Sequence, residues 1–141
     1  MRRLLLDVNL ILDVLLDRRP HAEVASAVWT GVEMGAAHGL LSAHAVTTIH
    51  YLNTRAVGAK MARATTEALL SVFDVAIVDE AVLRSAAAMG WRDFEDAVTT
   101  AAALRARCDA IVTRNPKDFA KASIRVVTPA EAAAALMASR S

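Results

Sequence analysis

The chain has 141 residues, a formal net charge of +1 and one cysteine, Cys108. This length suits a single domain spanning residues 1–141. The near-zero charge excludes a general attraction to polyanions, so any nucleic-acid binding must depend on a local patch. One cysteine excludes a disulfide framework or a cysteine-rich zinc cluster within the chain, and it is compatible with a reducing cytoplasm.

Short apolar runs alternate with segments of helical periodicity along the whole sequence. Strands are predicted at residues 3–6, 39–42, 75–78, 110–113 and 125–127. Helices are predicted, in chain order, at residues 10–15, 20–35, 43–54, 60–73, 80–90, 95–107 and 129–138. A capping box at residues 128–131 marks the start of the last helix. Alternation of this kind predicts an α/β fold with a parallel sheet and helices on both faces.

No segment has the properties of a signal peptide or a membrane span. The apolar run after Arg3 is interrupted at once by Asp7. The longest segment without Asp, Glu, Lys or Arg covers residues 34–54, and its glycines and histidines make it too polar for a bilayer. We therefore expect a cytoplasmic protein that does not associate with membranes.

Acidic side chains stand at three comparable points of this pattern. Asp7 ends the first strand, and Asp118 follows the fourth strand by a few residues. Asp93 and Asp96 open a helix, where side chains three residues apart lie on one face and like charges repel. If the first and fourth strands are neighbours, Asp7 and Asp118 meet at the carboxyl edge of the sheet, where open α/β sheets bind ligands. Carboxylates clustered in this way suit a hard divalent cation, Mg²⁺ or Mn²⁺.

Simpler roles are open for several of these charges. Asp7 and Asp93 can each act as a helix cap, Asp7 through the backbone N–H of Asn9. Asp13 and Asp17 lie at i and i+4 and are interpreted as solvated charges on a helix face. Arg114 and Lys117 flank Asp118, where they could contact phosphates or pair with nearby acids.

Three motifs resemble the PIN-domain family: residues 5–13 (LLDVNLILD), 93–97 (DFEDA) and 111–119 (IVTRNPKDF). The resemblance extends over residues 4–127, with the motifs in order. It implies a three-layer α/β/α sandwich around a parallel five-stranded sheet, and a ribonuclease activity that depends on Mg²⁺ or Mn²⁺. Many bacterial members are toxins of the VapC type, which are usually dimeric and are neutralised by a small antitoxin.

The resemblance also assigns roles to individual residues. It implies that Asp7, Asp96 and Asp118 are catalytic acids that hold the metal, with Asp93 as an auxiliary ligand. It implies a further group of residues that contact the substrate or support these acids: Asn9, Thr48, Thr113, Arg114 and Asn115. The chain departs from the family at Thr48, where a Glu is usual, and this departure puts binding of a second metal in doubt.

Three hypotheses follow. The first is a metal-dependent RNA endonuclease, the toxin of a toxin–antitoxin pair, with RNA, a small antitoxin and a second copy of the chain as partners. The second is a PIN fold with a weakened site that binds RNA or a protein without cleaving. The third is a phosphoryl-transfer enzyme of receiver or phosphatase type, with Asp7 as the phosphate acceptor and Lys117 as the basic partner.

Overall fold

The computed structural model describes residues 2–138 and contains a five-stranded sheet in which all neighbouring strands are parallel. The strand order is β3-β2-β1-β4-β5. The strands are β1 (Arg3–Leu6), β2 (His38–Ser42), β3 (Asp74–Ala76), β4 (Ala110–Val112) and β5 (Arg125–Val127). The predicted α/β class is confirmed, and β1 lies at the centre of the sheet beside β4.

Helices connect the strands at the positions that the periodicity predicts. Within the described residues they are α1 (Val8–Leu15), α2 (His21–Glu33), α3 (Ala43–Val57), α4 (Ala59–Val72), α5 (Glu80–Met89), α6 (Phe94–Arg105) and α7 (Pro129–Ala138). A short 3₁₀ turn covers Pro116–Phe119 between β4 and β5. The capping box is confirmed, because the backbone N–H of Thr128 donates to Glu131 (3.0 Å) and that of Glu131 donates to the hydroxyl of Thr128 (3.2 Å). In the range 2–138 we find no helix with both the length and the apolar character that a membrane span requires.

Alternate side chains of β1 build two separate cores, one on each face of the sheet. Leu4 and Leu6 pack with α1, α2, α3, α4 and α7 on one face. Leu5 packs with α5, α6 and Phe119 on the other. Successive side chains of a strand point to opposite faces, so a central strand that is apolar throughout must be covered on both sides. The result is the three-layer α/β/α sandwich.

The pairing of β1 with β4 places two polar residues side by side at the carboxyl edge of the sheet. Leu6 pairs with Val112, and the backbone N–H of Asp7 donates to the carbonyl of Val112 at 3.0 Å. Thr113 follows Val112 and continues the ladder by donating its N–H to Val127 at 3.0 Å. The expected proximity of the ends of the first and fourth strands is therefore confirmed.

The third strand differs from its prediction. It covers Asp74–Ala76 rather than residues 75–78. The last residue pair between β2 and β3 is Ser42 with Ala76, and α3 begins at Ala43, directly after β2 ends. No β2 backbone remains to pair with Ile77 and Val78, so the apolar run continues past the end of the strand. Ile77 is 60% exposed as a result.

Candidate active site

Asp7 is a buried carboxylate whose two oxygens both accept hydrogen bonds. It is 7% exposed and stands between β1 and α1. Its Oδ1 accepts the N–H of Val8 at 2.9 Å, so it does cap α1, although not through Asn9 as predicted. Its Oδ2 accepts the hydroxyl of Thr113 at 2.9 Å. These bonds hold the carboxylate in one orientation at the edge of the sheet.

Asp93 and Asp96 stand together at the start of α6. Asp93 is the N-cap and accepts the backbone N–H of Asp96 at 3.1 Å. Burial, followed in decreasing order by the charges of Asp93, Asp7, Asp118 and Glu95, raises the pKa of Asp96 to about 7. Much of this carboxyl group therefore keeps its proton near neutral pH unless a cation replaces it.

Asp118 completes the group from the 3₁₀ turn. Burial raises the pKa of Asp7, the hydrogen bonds from Thr113 and Val8 and the positive charge of Arg114 lower it, and the charge of Asp118 raises it. Asp7, Asp96 and Asp118 therefore lie within electrostatic range of one another, although about 90 residues separate the first two along the chain. The structure thus brings together the three acids that the sequence analysis placed at one edge.

The chemistry of these donors fits a hard cation, but their spacing leaves most of its coordination shell to other ligands. Within residues 2–138, no three acidic, histidine or cysteine side chains converge closely enough to hold a metal ion by themselves. Mg²⁺ is usually bound by one or two carboxylates together with waters and substrate phosphates, rather than by an all-protein cage. The raised pKa of Asp96 shows that the acids repel one another, and a cation would relieve that repulsion.

Asp13 is not the solvated helix charge that we predicted, and this prediction is wrong. It is 2% exposed and accepts the Nε–H of Arg114 at 2.9 Å. Arg18 also lies 3.7 Å from it. The pair joins α1 to the segment after β4 and holds the guanidinium of Arg114 beside Asp7. Asp17, in contrast, is exposed as predicted, although it lies in the turn after α1 rather than on a helix face, and it pairs with the exposed Arg19.

Replacing Asp13 with Ala is expected to lower the free energy of unfolding by about 3 kcal/mol, because it leaves the partly buried guanidinium of Arg114 without its anion. Urea denaturation of the two proteins measures this difference. The matched control is Glu80→Ala, which breaks the exposed ion pair of Glu80 with Arg84 and should cost less than about 1 kcal/mol. Equal losses in the two variants would show that Asp13 is no more important than a surface charge.

The side chains of the remaining predicted site residues make no direct hydrogen bond to the carboxylates of the three acids in the part of the chain that the structure describes. Asn115 donates its backbone N–H to the hydroxyl of Thr113 at 3.1 Å, so it supports the residue that orients Asp7. The side chain of Asn9 accepts a hydrogen bond from Arg18 at 3.3 Å. Thr48 donates to the carbonyl of His44 within α3 at 3.3 Å. Among the described residues, no hydrogen bond joins Asn9 or Thr48 to the three acids.

A cavity of about 430 Å³ opens beside the acids, and the sequence analysis did not predict it. Asp93, Asp96 and Asp118 line one part of it. The other lining residues that carry large side chains are Trp91, Arg92, Lys117 and Lys121. Trp91 is the residue that sequence reasoning missed. The signal that could have identified it was a tryptophan two residues before an acidic motif, in a chain of which only 4% is aromatic.

The fold and the site define a class: α/β proteins with a parallel sheet whose carboxyl edge gathers acids from three distant segments. The PIN domain model matches residues 3–117, which is most of the chain. The chain therefore belongs to the PIN-domain family.

Solved structures share this fold. The chain resembles a toxin–antitoxin complex from Klebsiella pneumoniae with 23% identity and a TM-score of 0.66, covering 89% of this chain and 96% of that one. For Mycobacterium tuberculosis VapC20, a sarcin-ricin loop cleaving toxin, the identity is 17%, the TM-score 0.63 and the coverage 77% and 86%. For VapBC-1 from nontypeable Haemophilus influenzae, the identity is 14% and the TM-score 0.70, and the match covers 90% of this chain and 98% of that one. No curated protein sequence matches the chain.

Proposed function

We propose that this protein is an RNA endonuclease that depends on Mg²⁺ or Mn²⁺ and hydrolyses phosphodiester bonds, with Asp7, Asp96 and Asp118 as the acids that hold the metal. The observation that carries the proposal is the proximity of these three acids at the carboxyl edge of the sheet, where burial first, and then the charges of neighbouring acids, raise the pKa of Asp96 to about 7. Family membership supports it. Burial and repulsion of this kind are costly, and they are typical of sites that bind cations or perform proton chemistry.

The residues of the chain have separable tasks in this proposal. A bound Mg²⁺ or Mn²⁺ would polarise a phosphoryl oxygen and lower the pKa of a bound water. The hydroxyl of Thr113 keeps Oδ2 of Asp7 in place, and Asn115 in turn supports Thr113. Asp96, whose pKa is raised to about 7 without a cation, would hold the metal as the ionised carboxylate. One oxygen of Asp93 accepts the N–H that caps α6, so the other oxygen would serve more readily as an auxiliary ligand.

We further propose that the protein is the toxin of a toxin–antitoxin pair, acting in the cytoplasm as a homodimer. Its support is the similarity to structures that are described as a toxin–antitoxin complex from Klebsiella pneumoniae and as a toxin from Mycobacterium tuberculosis. The proposed partners are RNA and a small antitoxin protein. Co-expression with an adjacent small open reading frame should give a stable complex that suppresses RNA cleavage.

Cleavage of a labelled RNA in the presence and absence of a chelator tests the proposed reaction. We expect cutting with Mg²⁺ or Mn²⁺, no cutting with EDTA, and full recovery when excess metal is restored, because the cation would polarise the phosphoryl oxygen and activate the water. RNA cut equally well in EDTA would exclude the metal-dependent mechanism.

The second candidate function is a PIN domain that binds RNA or a protein without cutting it. Two observations favour it: Thr48 stands where the family usually has Glu, and no three metal-binding side chains converge in residues 2–138. Calorimetric titration with Mn²⁺ distinguishes the two. Saturable binding supports the nuclease, whereas retained RNA binding without saturable Mn²⁺ binding at millimolar metal supports the binding module.

The phosphoryl-transfer hypothesis is not retained. This hypothesis requires Lys117 as the basic partner of Asp7, but within residues 2–138 the structure shows no hydrogen bond or ion pair between them, and the positive charge that acts on Asp7 is that of Arg114. The match of residues 3–117 to the PIN domain model also places the chain in a different family.

A further inference from the structure

The cavity beside the acids continues past them into a region of different chemistry. Its volume of about 430 Å³ lies within the range of roughly 300–1,000 Å³ that is usual for small-molecule pockets. Asp96 and Asp118 line it, and the rest of the lining comes from the segment between α5 and α6 and from the residues around the 3₁₀ turn. A chain bound at these two acids therefore lies in the same cavity as those residues.

Trp91 is held in this region by the core. It is half-buried, and its ring packs edge-to-face against Phe119 with the ring centroids 6.3 Å apart. Phe119 is 2% exposed and belongs to the core under α5 and α6. Gly90 ends α5 in the left-handed conformation, with φ of 68°, and this turn brings the chain directly to Trp91. The indole is thus fixed on one side and lines the cavity on another.

Three cations surround the same space without a committed anion. Arg92, Lys117 and Lys121 line the cavity and are exposed. Within residues 2–138, the ion pairs that the structure shows involve other arginines: Arg18, Arg19, Arg84, Arg105 and Arg114. The cavity therefore combines an anchored aromatic ring with unpaired positive charge. Proteins that bind single-stranded nucleic acid combine the same two features, because bases stack on the ring and phosphates follow the charge.

We propose that this cavity receives one unpaired RNA base next to the scissile phosphate, that the base stacks on Trp91, and that Lys117 and Lys121 contact the flanking phosphates. The inference rests on the proposed nuclease function for the identity of the ligand. It adds a preference to that function: the nucleotide at this position must be unpaired. A base within a duplex is already stacked and paired, and it cannot enter a cavity of this size without leaving the helix.

The intrinsic fluorescence of the protein provides a direct test, since the chain contains only two tryptophans, Trp29 and Trp91. Trp29 packs against Phe73 on the opposite face of the sheet, so it serves as a matched control. The full chain is titrated with a single-stranded RNA oligonucleotide in EDTA, which prevents cutting. We expect saturable quenching of the tryptophan emission in Trp29→Phe, where Trp91 is the only tryptophan, and none in Trp91→Phe.

Affinity gives a second readout, measured by the anisotropy of a labelled oligonucleotide. We expect Trp91→Ala to weaken binding about 10-fold and Trp91→Phe to retain most of the affinity, because phenylalanine still offers a ring for stacking. A duplex of the same sequence should quench Trp91 far less than the single strand. Lys121→Ala should reduce the salt dependence of binding, whereas Lys60→Ala, on α4, should not.

The proposal is overturned if Trp91→Ala, shown by circular dichroism to be folded, binds the single strand as tightly as the parent. It is also overturned if the duplex quenches Trp91 as strongly as the single strand. A different result would contradict the nuclease proposal, so the two proposals are tested separately. Saturable quenching of Trp91 without cleavage at any Mg²⁺ or Mn²⁺ concentration retains the base site and removes the reaction. Cleavage that Trp91→Ala leaves unchanged retains the reaction and removes the base site.

Discussion

Replacing Asp7 with Asn is expected to lower the rate of RNA cleavage by on the order of 100-fold or more, because even residues that only support metal ligands typically cost 10–100-fold when they are changed. Asn has nearly the same shape and can still accept the N–H of Val8, so the fold should be preserved. What the variant loses is the negative charge at the edge of the sheet. Initial rates with saturating Mn²⁺ measure the effect, and Asp118→Asn is expected to show a loss of the same order.

Asp17→Asn is the matched control for these variants. It makes the same chemical change in an exposed carboxylate that pairs with Arg19. We expect it to cut RNA at the parent rate. If folded Asp7→Asn also cuts at the parent rate, Asp7 does not hold the catalytic metal and the proposed mechanism is wrong.

Asp96→Asn is expected to raise the melting temperature of the metal-free protein at pH 8 by about 3–6 °C, although it removes activity. The pKa of this carboxyl group is about 7 in the folded protein, against an ordinary value of 3.8. Ionising it in the folded state is therefore costly. Asp96 is partly exposed, so solvent screening reduces the penalty, and we expect about 1–2 kcal/mol. Asn cannot ionise and does not carry this cost.

The sign of the pH dependence follows from proton binding. Between about pH 4 and pH 7 the folded state holds a proton on Asp96 that the unfolded state has released, so the stability of the parent falls as the pH rises through this range. Below that range both states are protonated and the penalty is absent. The melting temperatures of the parent and of Asp96→Asn, plotted from pH 4 to pH 8, should therefore converge at low pH and separate at high pH. Curves that stay parallel would contradict the raised pKa.

Added metal should reverse the order of the two melting temperatures, so that the parent becomes more stable than Asp96→Asn. A cation that binds only the folded state at 100 times its dissociation constant stabilises that state by about 2.7 kcal/mol. We expect Mn²⁺ at pH 8 to raise the melting temperature of the parent and to leave that of Asp96→Asn nearly unchanged. An equal rise in both proteins would place the metal away from Asp96.

The sheet could be predicted from the sequence because its signals are local. Each buried strand is a short apolar run, and the helices between them have apolar positions at the helical period. The carboxyl-edge position of Asp7 followed from the same pattern. The end of β3 could not be predicted, because it depends on where the neighbouring strand β2 stops and α3 begins.

The burial of Asp13 was missed for a different reason. Its partner Arg114 lies 101 residues away along the chain, and no local pattern connects them. A signal was nevertheless present. Asp13 belongs to a helix that is apolar on nearly all sides, with Leu10, Ile11 and Leu12 buried beside it. A helix of that kind is enclosed by other elements, so a charge within it must be paired.

The sequence was sufficient to predict which acids form the candidate site, but not the role that each side chain has in it. The three motifs identified the carboxylates that the fold brings together. The commitment of one Asp93 oxygen to capping α6, the bond from Thr113 to Asp7, and the aromatic wall at Trp91 depend on side-chain geometry between distant segments.

The most direct measurement is a crystal of this protein soaked in Mn²⁺, with the metal located by its anomalous scattering. On this account we predict one Mn²⁺ ion bound among the side chains of Asp7, Asp96 and Asp118, with at least one of their carboxylate oxygens about 2.1 Å from it. Manganese bound only at some other surface, or none at saturating concentration, would contradict that account.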